Sequence, residues 1–366
     1  MPTRPAKKVL RPITAHLNKS RSFNVQNHRT IHGIRLLLVM LVVCWWHVGC
    51  AKRNALTIYT SVDRDYSEPI IAEFMSRNPE MEVQTVYDSE LTKTTGLFNR
   101  LLHEKHNPQC DVFWNSEILR TVQLKKENLL TPYDSPSAAD IPNKYKDLDR
   151  FWTGFSVRAR VMIINTDLVP DSETPASVPA LGLRKYAGKT GMAIPEFGTT
   201  ALHMAALFAK WGEAGFLIYM REVKNNNLKL LPGNATVRDE VARGSLAYGL
   251  TDTDDAFAAL AENKPVRMIF LDQDGDGTLV IPNTVALIKN GPNPENGKAF
   301  IDYLLSPEIE QKLAESRAKQ IPVRSTVSRP DDLPDLAAIK VFEVDYDALV
   351  DKLNPCLESL RIVFPQ

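Results

Sequence analysis

Beyond residue 50 the sequence alternates between short β-rich runs and segments of helical periodicity, and this order constrains the fold more than any other feature. Residues 56–60, 81–87 and 110–115 have the composition of strands, and residues 66–76 between the first two have apolar residues at helical spacing. Parallel strands need long crossover connections, which are usually helices. We therefore expect an α/β protein with a mostly parallel sheet.

The chain of 366 residues is longer than one hydrophobic core usually serves, so we expect two lobes. Residues 152–166 form a long β-rich run that suits a segment crossing from one lobe to the other. After it the pattern predicts helices at 199–211 and 214–225, a strand pair within 277–289, and further helix in the tail 330–366.

The first fifty residues have the pattern of a bacterial lipoprotein signal. They contain eight Lys or Arg and no acidic residue, followed by an apolar run at 34–46 and then Gly49 and Cys50. A basic region, a short apolar stretch and a small residue before the cleavage site are typical of secretory signals. We expect Cys50 to be lipidated and to become the first mature residue. The alternatives are a signal anchor or a translation start further downstream.

Charge and composition exclude some classes of function. The whole chain has 44 basic and 44 acidic residues, so removal of residues 1–50 leaves 36 basic residues against 44 acidic ones. A net acidic chain without a basic stripe does not suit nucleic acid as a partner. The mature histidines number three, which argues against a multi-histidine zinc site. Cys110 and Cys356 could pair or remain free thiols.

The stretch 247–260 concentrates oxygen ligands after a predicted strand. Residues 248–250 are expected to end a buried strand, residues 251–255 to form a turn, and a helix to follow, with Asp254 or Asp255 as its cap. In open α/β sheets, ligands bind outside the carboxyl ends of strands. The stretch is therefore a candidate binding site. The alternative is an acidic turn that only caps a helix.

Five segments, taken in order, resemble the ferric-iron-binding family of extracellular solute-binding proteins, which are the capture subunits of ABC importers. They are residues 56–60, 110–114, 154–161, 165–167 and 283–289, and the likeness extends from about residue 56 to residue 327. It implies a two-lobed periplasmic binding protein of type II fold with the ligand in the cleft between lobes. The implied first lobe comprises residues 51–156 and 281–325, and the second comprises 157–280 and 326–366.

The resemblance also implies the residues of the site. Iron-binding relatives place a histidine after the first strand, a glutamate after the third, and two adjacent tyrosines in the acidic stretch. Here those positions correspond to Asp63, Glu117 and the pair Asp254 and Asp255. The positions that hold a companion anion fall near Gly198, Asn234 and Asp252, with hydroxyl groups from Thr199 and Thr200, and Ser61 and Asn115 are candidate secondary contacts. Asp252 is acidic where the relatives have a neutral amide, and we expect it to join Asp63, Glu117, Asp254 and Asp255 in the ligand site.

Carboxylates at these positions would form an all-oxygen cluster, which suits a hard cation: Fe(III) first, or Mn(II), Ca(II) or Mg(II). The alternative for each carboxylate is helix capping or pairing with lysines or with arginines such as Arg64, Arg158 or Arg160. A polyamine, held between carboxylates and aromatic walls, is a second ligand class. Its candidate aromatic walls are Trp114, Trp152, Phe197 and Phe257.

Two further classes are less favoured by the sequence. An organic anion or phosphonate would need Arg158 and Arg160 in the cleft, and nothing in the sequence places them there. A metal-dependent hydrolase would need catalytic motifs that the chain lacks. We expect a monomeric, lipid-anchored, extracytoplasmic protein without a catalytic cofactor, which delivers a cation to an ABC permease in the inner membrane.

Overall fold

The computed structural model describes residues 54–89 and 93–365, so the predicted signal and Cys50 lie outside the described residues. Within them lie ten strands and nine helices. The strands are β1 (Ala55–Thr60), β2 (Glu82–Tyr87), β3 (Val112–Asn115), β4 (Leu130–Thr131), β5 (Thr153–Asn165), β6 (Thr190–Ala193), β7 (Lys229–Leu231), β8 (Tyr248–Asp252), β9 (Val266–Phe270) and β10 (Val280–Ile288). The helices are α1 (Arg64–Arg77), α2 (Thr95–His103), α3 (Leu119–Lys126), α4 (Gly198–Asn225), α5 (Asn234–Ala242), α6 (Thr253–Ala261), α7 (Pro294–Leu304), α8 (Pro307–Glu315) and α9 (Tyr346–Val363). None of the described helices is long and apolar enough to cross a membrane.

The strands form two parallel groups that are joined through antiparallel strands. In the first group β2, β1 and β3 are parallel, and β10 pairs antiparallel with β3. In the second group β7, β6 and β8 are parallel, and β8 pairs antiparallel with β5. The prediction of an α/β fold is confirmed. The expected mostly parallel sheet is wrong, because four of the nine described strand pairings are parallel and five are antiparallel.

Strand β5 connects the two groups, as expected for the long β-rich run. Its first half pairs with β10, and its second half pairs with β8 and β9. All thirteen of its residues are buried, including Arg158 and Arg160. Alternate residues of a strand point to the same face, so these two arginines project from one side of β5.

Several boundaries differ from the sequence-based expectation. The boundary expected between helices at 199–211 and 214–225 is confirmed as a break within α4 at Gly212, whose φ of 71° and ψ of 163° are not helical. The strand pair expected within 277–289 is the single strand β10. In the tail, helix is confined to α9 and one short 3₁₀ turn; α9 packs against α4. Cys110 and Cys356 are both buried free thiols.

Candidate functional site

A cavity of about 370 Å³ lies where the two strand groups meet, and it contains most of the predicted site residues. One part of its lining comes from before β5 and includes Asp63, Tyr66, Lys93 and Ser116. Arg158 comes from β5 itself. The rest of the lining comes from later in the chain and includes Phe197, Gly198, Thr199, Thr200, Asn234, Arg238, Asp252, Asp254 and Asp255.

The acidic stretch lies at a direct junction between strand and helix. The turn predicted for residues 251–255 is wrong, because β8 continues to Asp252 and α6 begins at Thr253. The capping prediction is also wrong: Asp252 occupies the cap position without capping through its side chain, and Asp254 and Asp255 lie in the first helical turn. The strand's pairing with β5 holds the backbone extended up to the first helical residue. As a result, carboxylate oxygens of these three residues lie within 4.8 Å of one another.

Asp252 is held in a buried network. Its oxygens accept hydrogen bonds from Arg160 Nη1 at 2.6 Å, Thr199 Oγ1 at 2.7 Å and Asn234 Nδ2 at 2.9 Å. Burial alone would raise the pKa of Asp252, but Arg160 and Arg158 outweigh burial, and the pKa is lowered. This carboxylate is therefore a fixed negative charge whose oxygens are already engaged.

Asp254 forms a second buried ion pair. Arg158 Nη1 donates to its Oδ2 at 3.0 Å, and Arg158 also donates to the backbone carbonyl of Ser116. Burial raises the pKa of Asp254, and Arg158 offsets only part of that rise. Arg158, which the sequence did not place in the cleft, thus lines the cavity, whereas Arg160 lies outside the lining and holds Asp252. The alternative of pairing with arginines holds for Asp252 and Asp254.

Asp255 has weaker partners. Thr251 Oγ1 donates to Oδ2 at 3.1 Å, and the Nη1 atom of Arg238 lies 3.9 Å from Oδ1. Burial, followed by the charges of Asp254 and Asp252, raises the pKa of Asp255 well above its ordinary value. A carboxylate in this position is stabilised in its charged form only when further positive charge arrives.

On the opposite wall, Asp63 pairs with Lys93, whose Nζ lies 2.5 Å from Oδ1. Tyr66, on the first turn of α1, also lines the cavity. Burial, followed by the charges of Asp254 and Asp63, raises the pKa of the Tyr66 phenol. Tyr66 and Lys93 were missed from the sequence, although Tyr66 stands three residues after Asp63 and such a spacing places two residues on one helix face.

Three residues of the predicted set lie outside the cavity lining. Glu117 is buried and accepts hydrogen bonds from the backbone N–H groups of Leu119 and Arg120, so it stabilises the first turn of α3. Ser61 Oγ donates to Asn115 Oδ1 at 2.6 Å in a buried polar cluster. The expected convergence of Glu117 with the aspartates is therefore wrong for this structure, because the start of a helix uses its oxygens.

The aromatic walls expected for a polyamine are largely elsewhere. Trp114 and Phe257 are buried in one hydrophobic cluster of the core, and Trp152 is buried in a second hydrophobic cluster. Of the four aromatic residues proposed from the sequence, Phe197 lines the cavity.

Comparison with known proteins identifies the class. Residues 120–349, more than half of the chain, match the family described as bacterial extracellular solute-binding protein. The chain belongs to this family. The extracellular solute-binding proteins are the capture components of ABC importers, so this protein binds a solute outside the cytoplasm and is not an enzyme. The resemblance stated from the sequence is confirmed.

Individual relatives agree with this membership. The iron uptake protein A1 of Synechocystis sp. is 27% identical over 277 residues, which cover 72% of this chain and 75% of the relative. Iron-bound HitA from Pseudomonas aeruginosa has a TM-score of 0.76 at 18% identity, covering 84% of this chain and 99% of its own. AfuA from Actinobacillus pleuropneumoniae, solved with exogenous fructose-6-phosphate bound, has a TM-score of 0.74 at 20% identity, covering 84% and 98%. The type II binding-protein fold is confirmed.

Proposed function

We propose that this solute-binding protein captures a hard metal cation, Fe(III) first, in the cavity between its two strand groups. The observation that supports the proposal is the meeting of the Asp252, Asp254 and Asp255 carboxylates within 4.8 Å, with Asp63 on the opposite wall of the cavity. Carboxylate oxygens are ligands that hard cations prefer. A bound cation would also stabilise the charged form of Asp255, whose pKa is raised by burial and then by the charges of Asp254 and Asp252.

The four carboxylates would have unequal roles. Arg160 and Arg158 already neutralise Asp252 and Asp254, so these two contribute less net charge than a bare acidic cluster would. We assign direct coordination first to Asp255, Asp254 and Asp63. Asp252, whose oxygens accept three hydrogen bonds, would orient the junction between β8 and α6.

The size of the cavity bears on the form of the cargo. A volume of about 370 Å³ greatly exceeds that of a bare ion. The ion would therefore enter with oxygen ligands of its own, either water or a small chelating acid. Arg158, Thr199 and Thr200 in the lining would donate hydrogen bonds to such ligands. The names of two relatives, an iron uptake protein and an iron-bound HitA, support iron as the first candidate.

The test is metal analysis by native mass spectrometry on residues 51–366, purified without chelator and then challenged with ferric citrate, Mn(II) or Ca(II). We expect one cation per chain in the wild type. The Asp254→Ala/Asp255→Ala variant should bind at least about 100-fold more weakly, which corresponds to about 2.7 kcal/mol. Equal metal content in this folded variant would contradict the proposal.

The double variant leaves Arg158 buried without its partner, which costs about 3–5 kcal/mol when such a pair is broken. Asp255→Asn is therefore measured alongside, because it keeps the ion pair between Arg158 and Asp254. Asp276→Asn is the matched control, since Asp276 pairs with Lys210 outside the cavity lining. Circular dichroism and thermal melting verify the fold of each variant.

A small phosphate-bearing molecule is the second candidate. Lys93, Arg158 and Arg238 line the same cavity, together with the hydroxyl groups at the start of α4. Helix N-termini and arginines are good hydrogen-bond donors to phosphate, and AfuA was solved with fructose-6-phosphate bound. The same preparations are therefore challenged with fructose-6-phosphate and, for the polyamine alternative, with spermidine. If the protein retains either compound and no metal, that compound is the cargo and the proposed cation is not.

The anchor and the lobes complete the proposal. We propose that Cys50 is lipidated and tethers the protein at the membrane beside its permease. Cys50→Ser should move the protein from the membrane fraction to the soluble fraction, whereas Cys44→Ser should not.

We further propose that the protein has two lobes, which close over the cargo to present a surface to the permease. The first lobe comprises residues 51–156 and 281–325, and the second comprises residues 157–280 and 326–366.

A further inference from the structure

One positive charge in the cavity differs from the others. Lys93 Nζ lies 2.5 Å from Asp63 Oδ1, and the lysine side chain is 19% exposed. Lys93 lines the cavity together with Asp254 and Asp255, which come from the opposite wall. Its ammonium group therefore lies in the space that a cationic cargo would approach.

The charges of the cavity show what Lys93 balances. Arg160 and Arg158 are paired with Asp252 and Asp254 at 2.6 and 3.0 Å. Asp63 has Lys93 as its ion-pair partner. Asp255 has the Arg238 guanidinium at 3.9 Å, and the charge of Lys93 also acts to lower its pKa. Lys93 thus offsets the negative charge of Asp63 and Asp255, the two carboxylates that do not pair with Arg158 or Arg160.

The arginines and the lysine also differ in how readily they can leave. Arg160 is fully buried and donates to Thr199, Asn234 and Asp252, so moving it would break several hydrogen bonds. Lysine instead carries a compact charge on a flexible four-carbon stem. Because Lys93 is partly exposed, its ammonium group has a path from the cavity towards water.

We propose that Lys93 is a resident counter-cation, which balances the acidic cavity of the cargo-free protein and is displaced when a metal cation binds. This inference rests on the proposed cation-binding function and adds the residue that tunes its affinity. Lys93 opposes binding in two ways: it repels the incoming cation, and its ion pair with Asp63 must first be broken. Removal of the charge should therefore tighten cation binding and destabilise the cargo-free protein.

The experiment compares Lys93→Gln and Lys93→Arg with the wild type by titration calorimetry, using Mn(II) directly and Fe(III) by competition with citrate. Like charges a few ångströms apart in a partly buried site interact by more than 1 kcal/mol, so we expect Lys93→Gln to bind about tenfold more tightly. Its cargo-free melting temperature should fall by a few degrees. Lys93→Arg retains the charge and should stay within about threefold of the wild type.

Lys319→Gln is the matched control. Lys319 has nearly the same exposure, 20%, and pairs with Asp332 at 2.7 Å, but it does not line the cavity. Its removal should leave cation affinity unchanged. If the wild type binds a cation and Lys93→Gln binds it equally or more weakly, the inference is wrong while the proposed function stands. If the wild type binds none of the cations, both are wrong. Weaker fructose-6-phosphate binding by Lys93→Gln would make Lys93 an anion ligand and overturn the inference.

Discussion

Asp255 is the carboxylate of the β8–α6 junction that has no arginine of the described residues within hydrogen-bonding distance. The nearest guanidinium nitrogen, from Arg238, is 3.9 Å away, whereas Asp252 and Asp254 each have one at 3.0 Å or less. The three residues are almost consecutive, yet the pKa of Asp252 is lowered and the pKa of Asp255 is raised. Partners from β5, rather than residue type, decide which carboxylate is available to a cation.

This difference predicts how Asp255→Asn changes stability. The folded-state pKa of Asp255 is raised above the unfolded value, so the folded chain binds this proton more tightly and loses stability as pH rises through that pKa. At pH 7 the cargo-free variant should unfold at a temperature about 2–4 °C higher, for a gain of about 1 kcal/mol. Thr251 can still donate to the new amide oxygen.

The stability advantage of Asp255→Asn should shrink as pH falls towards about 4, the ordinary range of a carboxyl group. Below that range the wild-type side chain is neutral in the folded and the unfolded chain alike. Thermal melting at several pH values, in the presence of chelator, measures the difference. Asp149→Asn, at a side chain that is 70% exposed, should show no such pattern. A variant that is less stable than the wild type at pH 7 would show that Asp255 is stabilised by partners in the cargo-free state.

The sequence indicated the cluster but not its internal division. The acidic stretch after a strand correctly suggested that Asp252, Asp254 and Asp255 lie together. The pairing of Asp252 with Arg160 and of Asp254 with Arg158 joins positions more than ninety residues apart, and a single sequence does not show such pairs. The alternation of Arg158 and Arg160 on one face of β5 was the available signal. For Glu117, the resemblance implied a ligand, but the start of α3 uses its oxygens.

Among the described helices, α4 contains a break in its interior. At Gly212 the φ and ψ of 71° and 163° leave the helical region, and the chain then resumes its helix. That conformation is open almost only to glycine. The sequence pattern placed a boundary here, between helices predicted at 199–211 and 214–225, and the break lies between them. The sequence predicted this boundary correctly because the backbone conformation at Gly212 depends on glycine itself and not on contacts with distant residues.

Gly212→Ala should lower the free energy of unfolding by about 1–3 kcal/mol, the usual cost of a strained backbone position. A new Cβ atom at Gly212 would meet nothing within 4 Å, so the loss would come from the backbone and not from a clash. Urea denaturation measures the change. Gly215→Ala is the matched control, because Gly215 lies in the same run with a negative φ, and alanine there should gain up to about 1 kcal/mol. Equal effects of the two substitutions would contradict a special backbone requirement at Gly212.

Elements were also mispredicted where tertiary pairing overrides local pattern. The residues 251–255 have the composition of a turn, but pairing of Arg160 with Asp252 in the β5–β8 ladder keeps the strand extended to the first residue of α6. Similarly, the strand pair expected within 277–289 is one strand, because residues 280–285 of β10 pair with β5 and residues 284–287 pair with β3. Such pairings depend on the position of distant strands.

At the scale of the molecule, the cavity takes residues from both strand groups, and β5 passes between them. Asp63 and Lys93 precede β5 in the chain, whereas Asp254 and Asp255 follow it. A cation that binds carboxylates from both walls would hold them together, and one that binds the β8–α6 junction alone would not. The mode of binding therefore decides whether the cargo can close the two proposed lobes.

Hydrogen exchange measured by mass spectrometry on residues 51–366 distinguishes these modes. At a cation concentration of 100 times Kd, we expect a gain of about 2.7 kcal/mol in the free energy of unfolding. We also expect slower exchange at the start of α1 and at the start of α6 alike. Asp63→Asn should lose the protection from exchange at α1. It should retain much of the protection at α6, because Asp254 and Asp255 remain. Protection confined to α6 in the wild type would mean that one wall holds the cargo, and closure would then need a cause other than the cation.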